Sequence, residues 1–85
     1  MFIFSFDKMI FSSRLKDLRE KNKIKQKEIA DGLGLTQTQI SDLENGKTTT
    51  SLERIYALAD YFGVSIDYLV GRSDEPKVYT KKDGE

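Results

Sequence analysis

The chain has no cysteine, no histidine and a single proline. Without thiols it can form neither disulfides nor thiolate metal sites, so the packing of helices has to supply its stability. Lacking imidazole and thiol, and with no glycine-rich phosphate loop or metal-ligand spacing, it offers no nameable base and nucleophile set. That argues against an enzyme and implies no metal, no cofactor and no small-molecule ligand. No stretch approaches the ~20 apolar residues of a membrane span. The N-terminal MFIFSF is apolar but meets Asp7 and Lys8 after six residues, without the basic start and longer apolar run of a signal peptide. The expectation is a cytoplasmic protein with no membrane contact. Net charge is absent too, because Lys plus Arg and Asp plus Glu both total 14. Taken alone, that balance argues weakly against a polyanionic partner.

What is present is enough for one small domain: 85 residues, 38% of them hydrophobic, close to the size at which a single core is only marginally sufficient. The charges are unevenly distributed. Residues 14 to 27 carry Arg14, Lys16, Arg19, Lys21, Lys23, Lys25 and Lys27 against Asp17 and Glu20, whereas residues 51 to 70 carry Arg54 against Glu53, Asp60 and Asp67. One end is basic and the other mildly acidic, which suits a single face that meets a polyanion; a solvated charged helix would look similar.

Periodicity predicts five helices. Phe11, Leu15 and Leu18 recur at helical spacing behind Ser12 and Ser13, which reads as a serine-capped first helix ending near Asn22. Residues 26 to 33 place Ile29, Ala30 and Leu33 on one face of a short second helix, followed by a turn at Gly34. Thr36, Gln37, Thr38 and Gln39 form a capping box at the head of a third helix that buries Ile40 and Leu43 and ends at Asn45 and Gly46. Ser51 caps a fourth, on which Leu52, Ile55, Leu58, Ala59 and Phe62 follow helical spacing up to Gly63. Residues 65 to 70 make a short fifth, closed by Gly71. The domain expected is 11 to 71, preceded by an apolar extension, 1 to 10, and followed by a mobile polar tail, 72 to 85. Phe2, Phe4 and Phe6 alternate in a strand-like period and could pair across a dimer, fold back on the helices or form an upstream extension. Near the C-terminus, Tyr61, Phe62, Ile66, Tyr68, Leu69 and Val70 offer more apolar surface than the core needs and are the expected dimer contact.

The informative stretch is QKEIADGLGLTQTQISDLEN, residues 26 to 45. Ala30 is small where the second helix must let the third approach, and Gly34 permits the positive φ of a tight turn. At roughly 100° per residue, with Gln37 as origin, Ser41 lies near 40°, Thr38 near 100° and Asp42 near 140°, while Ile40 and Leu43 lie near 300° and 240°. Polar and apolar side chains therefore take opposite faces of the third helix.

With RLKDLRE in the first helix, Leu33-Gly34-Leu35-Thr36, Ile40-Ser41, Leu43-Glu44-Asn45-Gly46-Lys47 and SLERIYALADYFGVSIDYL, the chain resembles the Cro and lambda-type phage repressors of xenobiotic-response-element type over residues 11 to 71. The resemblance implies an all-α, five-helix lambda-repressor-like domain with a helix-turn-helix that binds double-stranded DNA as a homodimer. It implies that Gln37, Thr38, Ser41 and Asp42 face the major groove, that Gln26, Asn45 and Lys47 meet phosphates, and that Arg19 and Glu44 form an architectural ion pair. Gln can bond bidentately to adenine, a Thr methyl can touch a thymine methyl, and phosphate contacts add affinity without reading sequence. Two departures stand out. Asp42 is a carboxylate where an amide or a base would suit DNA better, and Thr48, Thr49 and Thr50 fill a loop where many relatives carry a basic residue and a proline. The function expected is a sequence-specific transcriptional regulator, a repressor on a near-palindromic operator. The alternative is a protein-interaction module of the same fold, as in an antitoxin or accessory factor.

Overall fold

The computed structural model describes residues 6 to 78. Phe2 and Phe4 lie outside the described residues. Five helices follow one another: α1 (Lys8–Lys21), α2 (Gln26–Leu33), α3 (Gln37–Glu44), α4 (Leu52–Phe62) and α5 (Ile66–Val70). Among the described residues there is no strand. Each helix gives at least one side chain to a common core. Phe11 and Leu15 come from α1, Ile29 and Ala30 from α2, Ile40 and Leu43 from α3, Ile55, Leu58 and Ala59 from α4, and Leu69 from α5. In so short a chain, that sharing is how one core reaches useful size. Helix α1 packs on α3 and α5, α2 packs on α3, and α4 packs on α5. This leaves the α2–α3 pair at one side of the molecule.

The sequence put the start of α1 too late. Helix α1 begins at Lys8, and its cap is Asp7, whose carboxylate accepts from the Met9 and Ile10 amides at 2.9 and 3.3 Å. Ser12 lies inside the helix, buried, with its hydroxyl donating to the Lys8 carbonyl at 2.6 Å. A carboxylate at the positive end of a helix competes well with a serine further along. Phe6 is exposed, but its ring centroid lies 5.9 Å from that of Phe11.

Residues 72 to 78 fold back on the helices instead of leaving them. Arg14 donates to the carbonyls of Tyr68 and Ser73 at 2.5 and 2.6 Å and to the Asp74 carboxylate at 2.7 Å. Its guanidinium lies 4.3 Å from the Tyr68 ring centroid. The Ser65 amide donates to the Pro76 carbonyl at 2.9 Å.

The apolar face expected for a dimer is mostly absorbed by the domain itself. Leu69 is fully buried, and Phe62, Ile66, Tyr68 and Val70 pack against the core. Only Tyr61 of that set is exposed. Helix α5 is so short that nearly all its apolar side chains are needed to close the end of the core. The opposite correction applies to Leu52, which is 70% exposed. It shares helical spacing with the buried residues of α4 but stands at the first position of the helix, before α4 reaches the core. Tyr56, one turn on, is exposed beside it.

Candidate nucleic-acid interface

The α2–α3 corner is made by local chemistry. Gly34 takes φ 70° and ψ 30°, the left-handed region that glycine enters without steric cost, and the Leu35 amide returns to the Ala30 carbonyl at 2.8 Å. Ala30, almost fully buried, keeps the two helices close. The capping box then starts α3 in a defined direction. The Gln39 amide donates to the Thr36 hydroxyl at 3.1 Å, and the Thr36 amide donates to the Gln39 side-chain oxygen at 2.9 Å.

Helix α3 divides cleanly. Ile40 and Leu43 are buried, Gln37 and Thr38 are exposed, and Ser41 and Asp42 are half-buried at the edge of the outward surface. Asn45 and Lys47 are exposed just past the helix end, and the Asn45 amide group donates to the Ser41 hydroxyl at 3.4 Å. Gln37, Thr38, Ser41, Asn45 and Lys47 therefore cluster along one side of α3 and its C-terminal turn. Asp42 stands apart, on the shoulder that faces Thr48, Thr49, Thr50 and Arg54 across a depression.

Beneath this surface lies a charged pair. The Glu44 carboxylate is almost completely buried and accepts from Arg19 Nε at 2.5 Å and Arg19 Nη2 at 3.1 Å. Arg19 Nη1 donates to the Ile24 carbonyl at 2.9 Å. The hydrogen bond to Glu44 raises the Arg19 pKa, against the lowering effect of burial, and the negative charges of Glu44 and Glu20 add to the rise. Arginine therefore stays charged here. Gln26 completes the set by donating to Glu44 Oε1 at 3.0 Å. Its own carbonyl oxygen accepts from the Gln37 side-chain nitrogen at 3.5 Å, the long end of hydrogen bonding. A continuous chain thus runs from α1 through the buried carboxylate and Gln26 to the first residue of α3.

At the head of α2, Lys25 is the cap, but no side chain closes the first N–H groups. The Glu28 amide turns to the Lys25 carbonyl at 3.0 Å, and the Gln26 and Lys27 amides, without an acceptor among the described residues, are open to an anion. The basic cluster read from the sequence is smaller than its count, because Arg14 and Arg19 are turned to internal partners. Lys16, Lys21, Lys23, Lys25 and Lys27 are exposed, and Lys27 pairs with Asp31 at 3.1 Å. Lys23 holds φ 57° in the turn between α1 and α2.

Sequence reasoning missed the bonds of Gln26 to Glu44 and Gln37. Its signal was the eleven-residue separation between the two glutamines, the first residues of successive helices. It also missed Arg54, which lies across the depression from Asp42 by the path of the loop that carries the three threonines.

A family model described as helix-turn-helix matches residues 15 to 69. The chain belongs to the helix-turn-helix family. A similar helix-turn-helix relative is the transcriptional repressor RstR of the cryptic phage CTXphi of Vibrio cholerae, 35% identical over 65 residues, which are 76% of this chain and 59% of the relative. The transcriptional regulator DdrOP3 of Deinococcus deserti is 34% identical over 62 residues, 73% of this chain and 48% of the relative. The chain spans about half to three fifths of the length of these relatives. Among solved structures, the P22 c2 repressor in complex with a synthetic operator aligns with a TM-score of 0.69 at 28% identity, over 75% of this chain and 97% of that one. The five-helix, lambda-repressor-like fold expected from the sequence is thus the helix-turn-helix fold of that repressor. A structure of the iron(II) form of HppE with substrate aligns with a TM-score of 0.67 at 30% identity, over 78% of this chain but only 34% of that one. No helix among the described residues is long and apolar enough to cross a membrane.

Proposed function

We propose that this chain is a sequence-specific DNA-binding regulator that works in the cytoplasm, and that α3 is its recognition helix. The observation that carries the reading is the outward side of α3. Gln37 and Thr38 are exposed, Ser41 is open at the edge, and no other described segment covers them. The RstR and P22 c2 names supply the biological setting, repression at an operator. No catalytic step is required.

In this reading Gln37 reads a base, with its amide held from behind by Gln26. Thr38 and Ser41 make lesser groove contacts, and Asn45 and Lys47 meet the backbone on one flank. Gln26 Nε2 gives one hydrogen to Glu44 and keeps a second for a phosphate beside the uncapped head of α2. One glutamine would then tie the buried ion pair, a phosphate and a base reader together.

Repression would follow from occupancy of a promoter by a dimer. Leu52 and Tyr56, exposed side by side on α4, suit a two-fold contact between copies. A dimer would set its two recognition helices about 34 to 36 Å apart and read a near-palindrome. Sedimentation at micromolar concentration with and without DNA tests this. A dimer that becomes a monomer with L52D is expected; a monomer in both conditions contradicts it. DNA reading itself is tested by selecting bound sequences from a random duplex pool. A single enriched motif whose binding falls steeply with salt is expected, and recovery of no motif would favour the protein-interaction alternative.

A further inference from the structure

The shoulder of α3 away from Gln26 faces a depression of about 250 Å3. Gln39 and Asp42 line its α3 side, Thr48, Thr49 and Thr50 its loop side, and Arg54 its α4 side. Opposite charges therefore face one space. Among the described residues, neither the Asp42 nor the Arg54 side chain has a hydrogen-bond or ion-pair partner.

Asp42 is the difficult residue of the surface. Lying about 140° round the helix from Gln37, it points along the edge of the groove-facing side, where the nearest features of a docked duplex are phosphates. A bare carboxylate there is repelled. Arg54 can remove that repulsion, because a guanidinium presents five donors in a planar fork; it can give one edge to a carboxylate and keep the other for a phosphate. Lys47 of the connecting loop does not line the depression, so Arg54 is the positive group on this side of α3.

We infer that Asp42 is a positioning residue for Arg54. On DNA, the Asp42 carboxylate takes one edge of the Arg54 guanidinium, which turns the other edge to a backbone phosphate beside the recognition helix. The inference rests on the DNA-binding reading above and revises one part of it: Asp42 acts through Arg54 and touches no base.

A double-mutant cycle on the full chain tests this, with D42N, R54A and their combination measured by fluorescence anisotropy on the operator selected by the unmutated chain, at several salt concentrations. R54Q serves as a second removal, and circular dichroism checks that each variant folds. R54A is expected to weaken binding about tenfold with Asp42 present and about threefold or less in the D42N background. With Asp42 present, the slope of log affinity against log salt should also fall by about 0.9, one phosphate contact. Selection from the random pool with D42N should return the same motif as the unmutated chain. Equal effects of R54A in the two backgrounds, within about twofold, would overturn the inference. So would a D42N motif changed at one base pair, which is the mark of a base reader. Failure of the unmutated chain to bind any duplex is a separate result, and it would remove the DNA reading itself.

Discussion

Arg19 of α1 and Glu44 at the end of α3 are joined by two hydrogen bonds, at 2.5 and 3.1 Å, with the carboxylate almost wholly withdrawn from solvent. The pair fixes the roll of the recognition helix against the rest of the domain, since Gln37 lies on the same side of α3 as Glu44 and is linked to it through Gln26. Every polar atom of the pair is matched, and no buried side-chain nitrogen or oxygen among the described residues is left without a partner.

Breaking that pair from one side strands a charge. R19A or E44A is expected to cost about 3 to 5 kcal/mol of folding stability, whereas replacing both by apolar residues of similar volume should cost much less or nothing. Urea unfolding of the three variants checks this. Single variants within about 1 kcal/mol of the original chain would mean that water reaches the pair.

Gln26 should behave differently from Lys47, although both are expected at phosphates. Q26A frees Gln37 from its support, so it should both weaken binding and relax selectivity at the base pair Gln37 reads, where a good bidentate contact discriminates by about 1 to 3 kcal/mol. K47A should weaken binding to all sequences alike and lower the salt slope by about 0.9. Affinities for the operator and for single base-pair variants of it, at two salt concentrations, separate the two patterns.

Two glycines in the left-handed region should respond unequally to alanine. At Gly34 an added Cβ meets nothing within 4 Å, so only the backbone penalty applies, about 1 to 2 kcal/mol. At Gly71 the new carbon would lie 2.7 Å from Ile10 Cγ2 and 3.3 Å from Ile10 Cβ. Ile10 is β-branched and cannot turn aside cheaply. G71A should therefore be the more destabilising of the two in urea unfolding, and the reverse order would contradict the α1–α5 packing.

Tyr61 carries the pH dependence that can be assigned. Its hydroxyl donates to Glu28 at 3.4 Å. Desolvation first, then the Glu28 charge and that hydrogen bond, push its pKa above the ordinary value of 10.0. A raised pKa in the folded state means that the contribution is present below the unfolded pKa and is lost as pH rises through the folded one. The difference in urea midpoint between the original chain and Y61F should hold at pH 8 to 9 and shrink above roughly pH 10. A difference constant to pH 12 would show that the hydroxyl contact contributes nothing.

Much of this was legible in the residues. Helices α3 to α5 begin where their caps said they would, because Thr36, Ser51 and Ser65 each accept a hydrogen bond from the residue three ahead, and glycines follow the ends of α2 to α5 as expected. Those are short-range interactions, and sequence records them directly. Asp7 was overlooked because it follows an apolar run that hid it, and the Leu69 side chain because periodicity cannot tell a surplus apolar face from one the core consumes. Gln26 heads α2 as the sequence suggested, but its bonds to Glu44 and Gln37 were not foreseen. Its link to Glu44 spans two helices, and the distance between them is set by packing around Ala30 and Gly34. That Asp42 and Arg54 line one depression across a loop has no local signature at all.

The claim on which the rest depends is that DNA meets the outward side of α3 and the head of α2. The most direct test is to titrate the isotopically labelled chain with its selected operator duplex and follow the backbone amides by NMR. The account predicts that the largest shifts fall at residues 25 to 27 and 36 to 48, with α5 nearly unmoved. Shifts concentrated on α4 and α5, with Gln37, Thr38 and Ser41 unchanged at saturation, would contradict it.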